Sequence, residues 1–239
     1  MERTVLVTGA DRGLGLALCA SLLHQGWIVF AGQYLPAWQE LATLQEDYSR
    51  TLHLLPLDVG SMQSVKAAAE IVSTSTNHLD VIINNAGVIS ETIFATIREP
   101  QDYDEMHRLY DINALGALRV VEAFLPLLEQ GNSKRLCFVS SEAGSIQRAE
   151  RTSWFGYCMS KAALNMAVKL LFNDLHQGGY TFRVYHPGWI RSYMHGEKNM
   201  NATFEPHEAA AFALPILLSE QKDEDRLVMV DYEGNEWPW

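Results

Sequence analysis

The chain has 239 residues, of which 48% are hydrophobic and 20% are charged, a balance typical of one soluble globular domain over 1–239. Its formal net charge of −11 argues against nucleic acid or an anionic membrane as a partner, because both require a basic face. No run is apolar enough to span a membrane, and the strand-like start leaves no room for a signal peptide. Cys19, Cys137 and Cys158 are scattered, so we expect reduced thiols in a cytoplasmic protein.

Short apolar runs rich in β-branched residues alternate with longer helical patterns. Strands that are apolar throughout and separated by helices indicate a parallel sheet covered on both faces. We therefore predict an α/β fold, a doubly wound Rossmann sandwich of three layers, in which ligands bind beyond the carboxyl ends of the strands. The seven predicted strands are 4–8, 27–32, 51–58, 80–86, 135–141, 182–188 and 226–232, and the six predicted helices are 14–25, 36–48, 61–75, 102–129, 153–177 and 206–219.

The first strand is followed by the glycine-rich sequence TGADRGLG, which leads into a helix. Gly9 would permit a tight turn, Gly13 would let backbone N–H groups approach a pyrophosphate, and Gly15 would allow the helix to pack closely on the strand. A βα turn that simply needs glycine is the alternative. The position directly after the first strand favours dinucleotide binding, and Asp11, Arg12 and Leu14 complete the predicted loop.

Two further strand ends fit the same site. Asp58 ends the third strand, where its carboxylate could accept a hydrogen bond from an adenine amino group, with Val59 beside it. A helix N-cap or a turn residue is the competing interpretation of Asp58. The fourth strand ends in Asn85, Ala86 and Gly87, whose small side chains would let a nucleotide lie against the backbone.

The expected cofactor is NADP(H), with NAD(H) as the alternative. An acidic residue that binds the ribose 2′-hydroxyl of NAD is expected at the end of the second strand, where this chain has Gln33. Arg12, inside the glycine loop, could instead pair with a 2′-phosphate. A surface ion pair is the other interpretation of Arg12.

Tyr157 and Lys161 are four residues apart in a predicted helix, which places them on one face. An ammonium beside a phenol favours the phenolate and lowers its pKa, so the pair suits proton exchange with a carbonyl or alcohol oxygen. Ser141 ends the fifth strand and Asn113 lies on the preceding long helix. Taken singly, these residues could be a surface pair, a strand end and a helix bend.

The ordered set TGADRGLG, LDV, NNAG, INALG, VSSEAG, YCMSK and HPG resembles the short-chain dehydrogenase/reductase family over essentially the whole chain. DYEGNEWPW and HPGWIRSYM are similar to the branch of C-factor and sniffer-type carbonyl reductases. The resemblance implies that Tyr157 is the general acid/base, that Lys161 lowers its pKa and binds the nicotinamide ribose, and that Ser141 holds the substrate oxygen. It also implies that Asn113 anchors a water in a proton relay. The residues it places at the nicotinamide are Pro187, Gly188, Ile190 and Ser192.

Sixteen positions separate Ser141 from Tyr157, slightly more than is usual for the family, so the shape of the substrate site is left open. Residues 189–205 are expected to form a loop over the substrate. Neither His186 nor His195 has metal-ligand spacing, so we predict no catalytic metal. Trp154, Phe155, Trp189, Tyr193 and Met194 either line an apolar wall or pack ordinarily.

The predicted function is an NAD(P)-dependent oxidoreductase that interconverts a carbonyl and a secondary alcohol of a small molecule. A non-catalytic dinucleotide sensor on the same fold is the alternative from another class, and an epimerase or dehydratase is the alternative among enzymes. The sequence leaves the substrate, the reaction direction and the choice between monomer and homo-oligomer open.

Overall fold

The structure is a computed structural model that describes residues 2–90, 92–194, 196–221 and 223–239. The strands of this part of the chain form one sheet. Its strands are β1 (Thr4–Val7), β2 (Ile28–Gln33), β3 (Leu52–Pro56), β4 (Val81–Asn84), β5 (Arg135–Val139), β6 (Thr181–His186), β7 (Met229–Asp231) and β8 (Glu236–Trp237). They lie in the order β3-β2-β1-β4-β5-β6-β7-β8. All neighbours are parallel except β7 and β8.

The prediction of seven strands was one short, because β8 was missed. β8 has two residues and pairs antiparallel with β7, Met229 opposite Trp237. The turn between them is held by the Asp231 carboxylate, which accepts the N–H groups of Glu233 and Asn235 at 3.0 and 2.9 Å. A two-residue strand has no periodicity to detect, and only this turn chemistry signals it.

Helices cover both faces of the sheet, as predicted. Buried residues of α1 and α7 pack with Val5 and Val7, whereas those of α3, α5 and α6 pack with Leu6 on the opposite face. Side chains alternate across a strand, so β1 contributes to both cores. The helices are α1 (Gly13–His24), α2 (Glu40–Asp47), α3 (Met62–Ser75), α4 (Tyr103–Tyr110), α5 (Gly116–Leu128), α6 (Phe155–Leu175) and α7 (Pro206–Leu218).

The helix predicted over 102–129 is not continuous. A π-helical turn, Asp111–Leu115, lies between α4 and α5. It carries Asn113, whose side chain bonds to backbone outside the helix, as described below. Such an insertion displaces one residue from the regular helical ladder, which a pattern of apolar residues does not reveal. His195, named above, lies outside the described residues.

Candidate active site

Most of the predicted site residues lie at or beyond the carboxyl ends of strands β1 to β6, which meet at one edge of the sheet. The turn after β1 is shaped by Gly9 and Gly13, which have φ angles of +64° and +58°. A Cβ on Gly9 would lie 2.8 Å from Ala86 Cα, and one on Gly15 would lie 2.1 Å from the Gly9 carbonyl oxygen. Only glycine fits at these contacts, so the turn after β1, the glycine cradle, packs tightly against the backbone of the turn after β4.

The cradle also fits an anion. The helix α1 begins at Gly13, and neither a capping side chain nor an acidic residue occupies its first turn. Its first N–H groups therefore remain free to bind a phosphate at the positive end of the helix dipole. The residues present fit the pyrophosphate of a dinucleotide.

The turn after β4 is fastened to the cradle by a residue that sequence reasoning missed. The buried Thr8 hydroxyl accepts the N–H groups of Asn85 and Ala86, both at 3.0 Å. In return, Asn85 Nδ2 donates to the carbonyls of Thr8 and Gly9 at 2.9 and 3.1 Å. Threonine directly before the first glycine was the available signal.

Asp11 and Arg12 face the segment that follows β2. The buried Asp11 carboxylate accepts the N–H groups of Tyr34 and Leu35 at 3.2 and 2.8 Å. The Arg12 guanidinium lies over the Trp38 ring, 4.6 Å from its centroid. Gln33 ends β2 half-buried, and Leu14 is buried in α1.

Asp58 lies where the adenine side was predicted, and its geometry is also that of a turn residue. Its Oδ1 accepts the Gly60 N–H at 2.8 Å. Its backbone N–H donates to the Ser64 hydroxyl at 2.9 Å. Val59 is buried, and a Cβ on Gly116 would lie 2.9 Å from Val59 Cγ2, so the turn packs tightly on α5.

Tyr157 and Lys161 lie on one buried face of α6, with only 9% and 4% of their surface exposed. The Lys161 Nζ donates to the Val139 carbonyl at 3.1 Å and lies 5.9 Å from the centroid of the Tyr157 ring. Ser141 caps the short 3₁₀ turn after β5, its hydroxyl accepting the Ala143 N–H at 3.1 Å. The tertiary structure thus brings β5 and α6 together at the carboxyl edge of the sheet.

Burial governs the electrostatics of this pair. It raises the pKa of Tyr157 to about 12, against the lowering effect of the Ser141 side chain. Burial also lowers the pKa of Lys161 to about 8. Desolvation of the phenolate therefore dominates the pKa of Tyr157, and the lowering of that pKa by Lys161 stays a prediction.

Asn113 is held by three hydrogen bonds. Its Oδ1 accepts the Val88 N–H at 2.8 Å, and its Nδ2 donates to the Val88 carbonyl and the Ser160 hydroxyl at 2.9 and 3.0 Å. A Cβ on Gly87 would lie 3.3 Å from Asn113 Oδ1 and 3.5 Å from Lys161 Nζ, so both side chains adjoin Gly87. Ser160, which no motif in the sequence indicated, also donates to the Tyr157 carbonyl at 2.8 Å.

The segment after β6 returns to the glycine cradle. Gly188 has a φ of +75°, and a Cβ there would lie 2.8 Å from the Tyr232 ring. Ile190 is buried and bridges to Phe204, which closes the segment into a folded loop. A Cβ on Gly13 would lie 3.7 Å from Ser192 Cβ, and Pro187 follows His186 at the end of β6.

The long connection between Ser141 and Tyr157 forms a wall beside the tyrosine. Arg151 forms a bidentate ion pair with Glu142, with N–O distances of 2.8 and 2.6 Å. The Arg151 guanidinium lies 4.6 Å from the Trp154 ring centroid. The Trp154 ring meets Tyr157 edge-on, with centroids 6.1 Å apart. Of the predicted apolar wall, Trp154 therefore contacts the tyrosine, whereas Trp189 is 57% exposed.

Two properties of the described residues bear on the class of site. No three His, Cys, Asp or Glu side chains within 2–90, 92–194, 196–221 and 223–239 are grouped closely enough to hold a metal ion. Among the same residues, no helix combines the length and apolar character needed to cross a membrane. Cys19, Cys137 and Cys158 are free thiols.

The model of the short chain dehydrogenase family matches residues 3–203. The chain belongs to this family. C-signal of Myxococcus xanthus is 38% identical over 164 residues, which cover 69% of this chain and 95% of that protein. As a member of the short-chain dehydrogenase family, the protein is an oxidoreductase.

Solved structures of carbonyl reductases share the whole fold. Carbonyl reductase Sniffer of D. melanogaster has a TM-score of 0.88 and 26% identity, with all of both chains covered. The NADPH-bound carbonyl reductase from chicken fatty liver has a TM-score of 0.85 and 31% identity, covering 100% of this chain and 99% of that one. The predicted family and the likeness to C-factor and sniffer-type reductases are confirmed.

Proposed function

We propose that this protein is an NADP(H)-dependent oxidoreductase that interconverts a carbonyl and a secondary alcohol, with Tyr157 as the general acid/base. The observation that carries the proposal is that Lys161, one turn after Tyr157, bonds to the end of β5 beside Ser141, at the edge of the sheet that also holds the glycine cradle. The bound nicotinamide would supply or accept the hydride. The chain itself would position the substrate and exchange the proton.

The proton chemistry follows from burial. With a pKa of about 12, Tyr157 carries its proton at neutral pH and can donate it to the oxygen of a carbonyl that is being reduced. Ser141 would hold that oxygen by a hydrogen bond, which fixes its distance from the phenol. Lys161 and Asn113 both adjoin Gly87, and we assign them to the resupply of the proton.

The cofactor residues would divide along the cradle. Gly9, Gly13, Leu14 and Gly15 would surround the pyrophosphate, with Asp11 holding the loop. The residues we assign to the adenosine and nicotinamide parts are Arg12, Gln33, Asp58, Val59, Asn85, Ala86, Gly87, Tyr157, Lys161, Pro187, Gly188, Ile190 and Ser192.

NADP(H) is favoured over NAD(H) for two reasons. Gln33 leaves the end of β2 without the acidic side chain that would repel a 2′-phosphate, and Arg12 is nearby as a cation. The chicken carbonyl reductase, 31% identical, is NADPH-bound. Calorimetric titration with NADPH and NADH tests the preference, and tighter binding of NADH would contradict it.

Tyr157→Phe tests the acid/base assignment. The variant keeps the ring and loses only the hydroxyl, so turnover should fall by about 10²-fold or more while NADPH affinity stays near that of the wild type. The matched control is Tyr103→Phe, which removes a hydroxyl from a tyrosine that is 67% exposed on α4. Wild-type turnover of Tyr157→Phe on a verified substrate would overturn the proposal.

A dinucleotide sensor would behave differently in the same assay. It would bind NADPH but oxidise none with a panel of aldehydes, ketones and quinones. An epimerase or dehydratase would convert its substrate with no net consumption of NADPH. We favour the reductase because Ser141, Tyr157, Lys161 and Asn113 are all retained and are brought to one edge of the sheet.

Three free cysteines suit the reducing cytoplasm, which we propose as the location. The continuous sheet supports one domain over 1–239. We propose a small molecule as the partner, since the acidic chain has no basic excess for nucleic acid.

A further inference from the structure

The guanidinium of Arg12 lies against two aromatic rings from different parts of the chain. It is 4.6 Å from the Trp38 centroid and 5.7 Å from the Tyr193 centroid. The two rings also contact each other edge-on, with centroids 5.0 Å apart and planes at 68°. We call these two rings, Trp38 and Tyr193, the aromatic cage.

The surroundings of Arg12 resemble those of Arg148, whose guanidinium lies 4.2 Å from the Trp237 ring centroid, and differ from those of three other arginines. Arg119, Arg151 and Arg191 each form an ion pair with a carboxylate. Among the described side chains, no carboxylate lies within ion-pair distance of Arg12. Stacking engages the flat face of a guanidinium, and its N–H groups point outward in its plane. The aromatic cage therefore holds the cation without using its hydrogen-bond donors on another residue.

The two rings are fixed by different parts of the site. Trp38 belongs to the segment after β2, which Asp11 ties to the glycine loop through the Tyr34 and Leu35 N–H groups. Its indole nitrogen is buried and has no hydrogen-bond partner, so the ring is placed by packing. Tyr193 belongs to the loop after β6 and directly follows Ser192, which approaches Gly13.

We propose that Trp38 and Tyr193 determine cofactor specificity by holding Arg12 ready for the 2′-phosphate of NADP(H). This inference rests on the proposed function, in which Arg12 contacts that phosphate. An arginine side chain has many rotamers, and binding energy is lost when a ligand must order it. The cage orders it beforehand. Because Tyr193 lies in the loop after β6, the 2′-phosphate would also stabilise that loop.

The affinities for NADPH and NADH, measured by calorimetry, test the cage without requiring a substrate. Trp38→Ala and Tyr193→Ala should each lower the NADPH-to-NADH affinity ratio by about fivefold. Tyr193→Phe keeps a ring and should keep most of the preference. Tyr103→Ala, an exposed tyrosine on α4, is the control and should leave the ratio unchanged.

A double-mutant cycle shows whether the rings act through Arg12. Arg12→Met should remove the preference for NADPH. Adding Trp38→Ala or Tyr193→Ala to Arg12→Met should then change the ratio no further. If removal of a ring lowered the NADPH-to-NADH affinity ratio equally with and without Arg12, the rings would contact the cofactor themselves and the cage would be refuted.

Hydrogen exchange tests the connection to the loop after β6. NADPH should slow exchange of the backbone around Tyr193 more than NADH does at equal saturation, and Tyr193→Ala should abolish that difference. Equal protection by both cofactors would overturn this part. Wild-type protein that bound neither cofactor would instead refute the proposed function, whereas a strong NADPH preference that survived loss of both rings would refute only the cage.

Discussion

Replacing Lys161 with methionine tests what the folded protein loses by burying an ammonium group. Only 4% of this residue is exposed, and its Nζ donates one hydrogen bond, to the Val139 carbonyl. Burial lowers the pKa of Lys161 from 10.5 to about 8. Each pKa unit corresponds to about 1.4 kcal/mol, so the buried charge costs about 3 kcal/mol at neutral pH. Loss of the hydrogen bond to the Val139 carbonyl should destabilise the variant by about 1 kcal/mol. The free energy of unfolding of Lys161→Met should therefore exceed that of the wild type by about 2 kcal/mol.

The lowered pKa of Lys161 also predicts how the free energy of unfolding of the wild type changes with pH. The pKa of Lys161 is lower in the folded state than in the unfolded state, so the unfolded state binds more protons between about pH 8 and 10.5. The wild-type free energy of unfolding should therefore rise with pH across that window as the cost of the charge disappears. Ionisation of Tyr157, whose pKa is raised to about 12, works in the opposite direction but is common to both proteins.

Urea unfolding of wild type and Lys161→Met without cofactor, from pH 7 to pH 10, measures the difference. We expect the advantage of the variant to shrink from about 2 kcal/mol toward zero. A constant difference would refute the reasoning, because it would mean that Lys161 is not charged at a cost in the folded protein. The same variant should lose most of its catalytic activity, so that stability and function would separate.

Three further substitutions test packing and hydrogen bonding by chemical denaturation. Gly15→Ala would place a Cβ 2.1 Å from the Gly9 carbonyl oxygen, so we expect a loss of about 3 kcal/mol in unfolding free energy and of NADPH binding; retained binding would contradict the packing argument. Ser140→Ala removes a buried hydroxyl that donates to Asn165 Oδ1 at 2.6 Å and should cost about 2 kcal/mol, and an unchanged denaturation midpoint would count against it. Arg183→Met removes a guanidinium that is 1% exposed and makes two hydrogen bonds to the Glu224 carboxylate, so it should lower the free energy of unfolding by about 3 kcal/mol. An unchanged free energy of unfolding would show that this ion pair contributes nothing to stability.

The sheet and the location of the candidate site could be predicted from the sequence because both depend on the strands and their carboxyl ends. Apolar runs such as 4–8 and 135–141 are short, nearly continuous and separated by helical patterns, which is typical of buried parallel strands, so the sheet was predicted from local pattern. Residues at the carboxyl ends of such strands must share an edge. Thus Gly13, Ser141 and Tyr157 could be assigned to one site before their distances were known.

The features that the sequence did not predict have weak local signals. The two-residue strand β8 has no periodicity, and the π-helical turn around Asn113 keeps the apolar pattern of an ordinary helix. Thr8 and Ser160 were missed because their importance lies in hydrogen bonds to residues distant in sequence or hidden within the helix. Such contacts produce no recognisable spacing of residues in a single sequence.

By itself, the sequence determined the first seven strands and the helical regions between them, the glycine turn that could accept a phosphate and the residues with the chemistry to exchange a proton. Each of these depends on short-range pattern. Only the tertiary structure decided the electrostatics. The depth of Tyr157 and Lys161 raises one pKa and lowers the other, because desolvation depends on every element packed around them. It also decided that Arg12 lies against both Trp38 and Tyr193, because residues from three separate segments meet there.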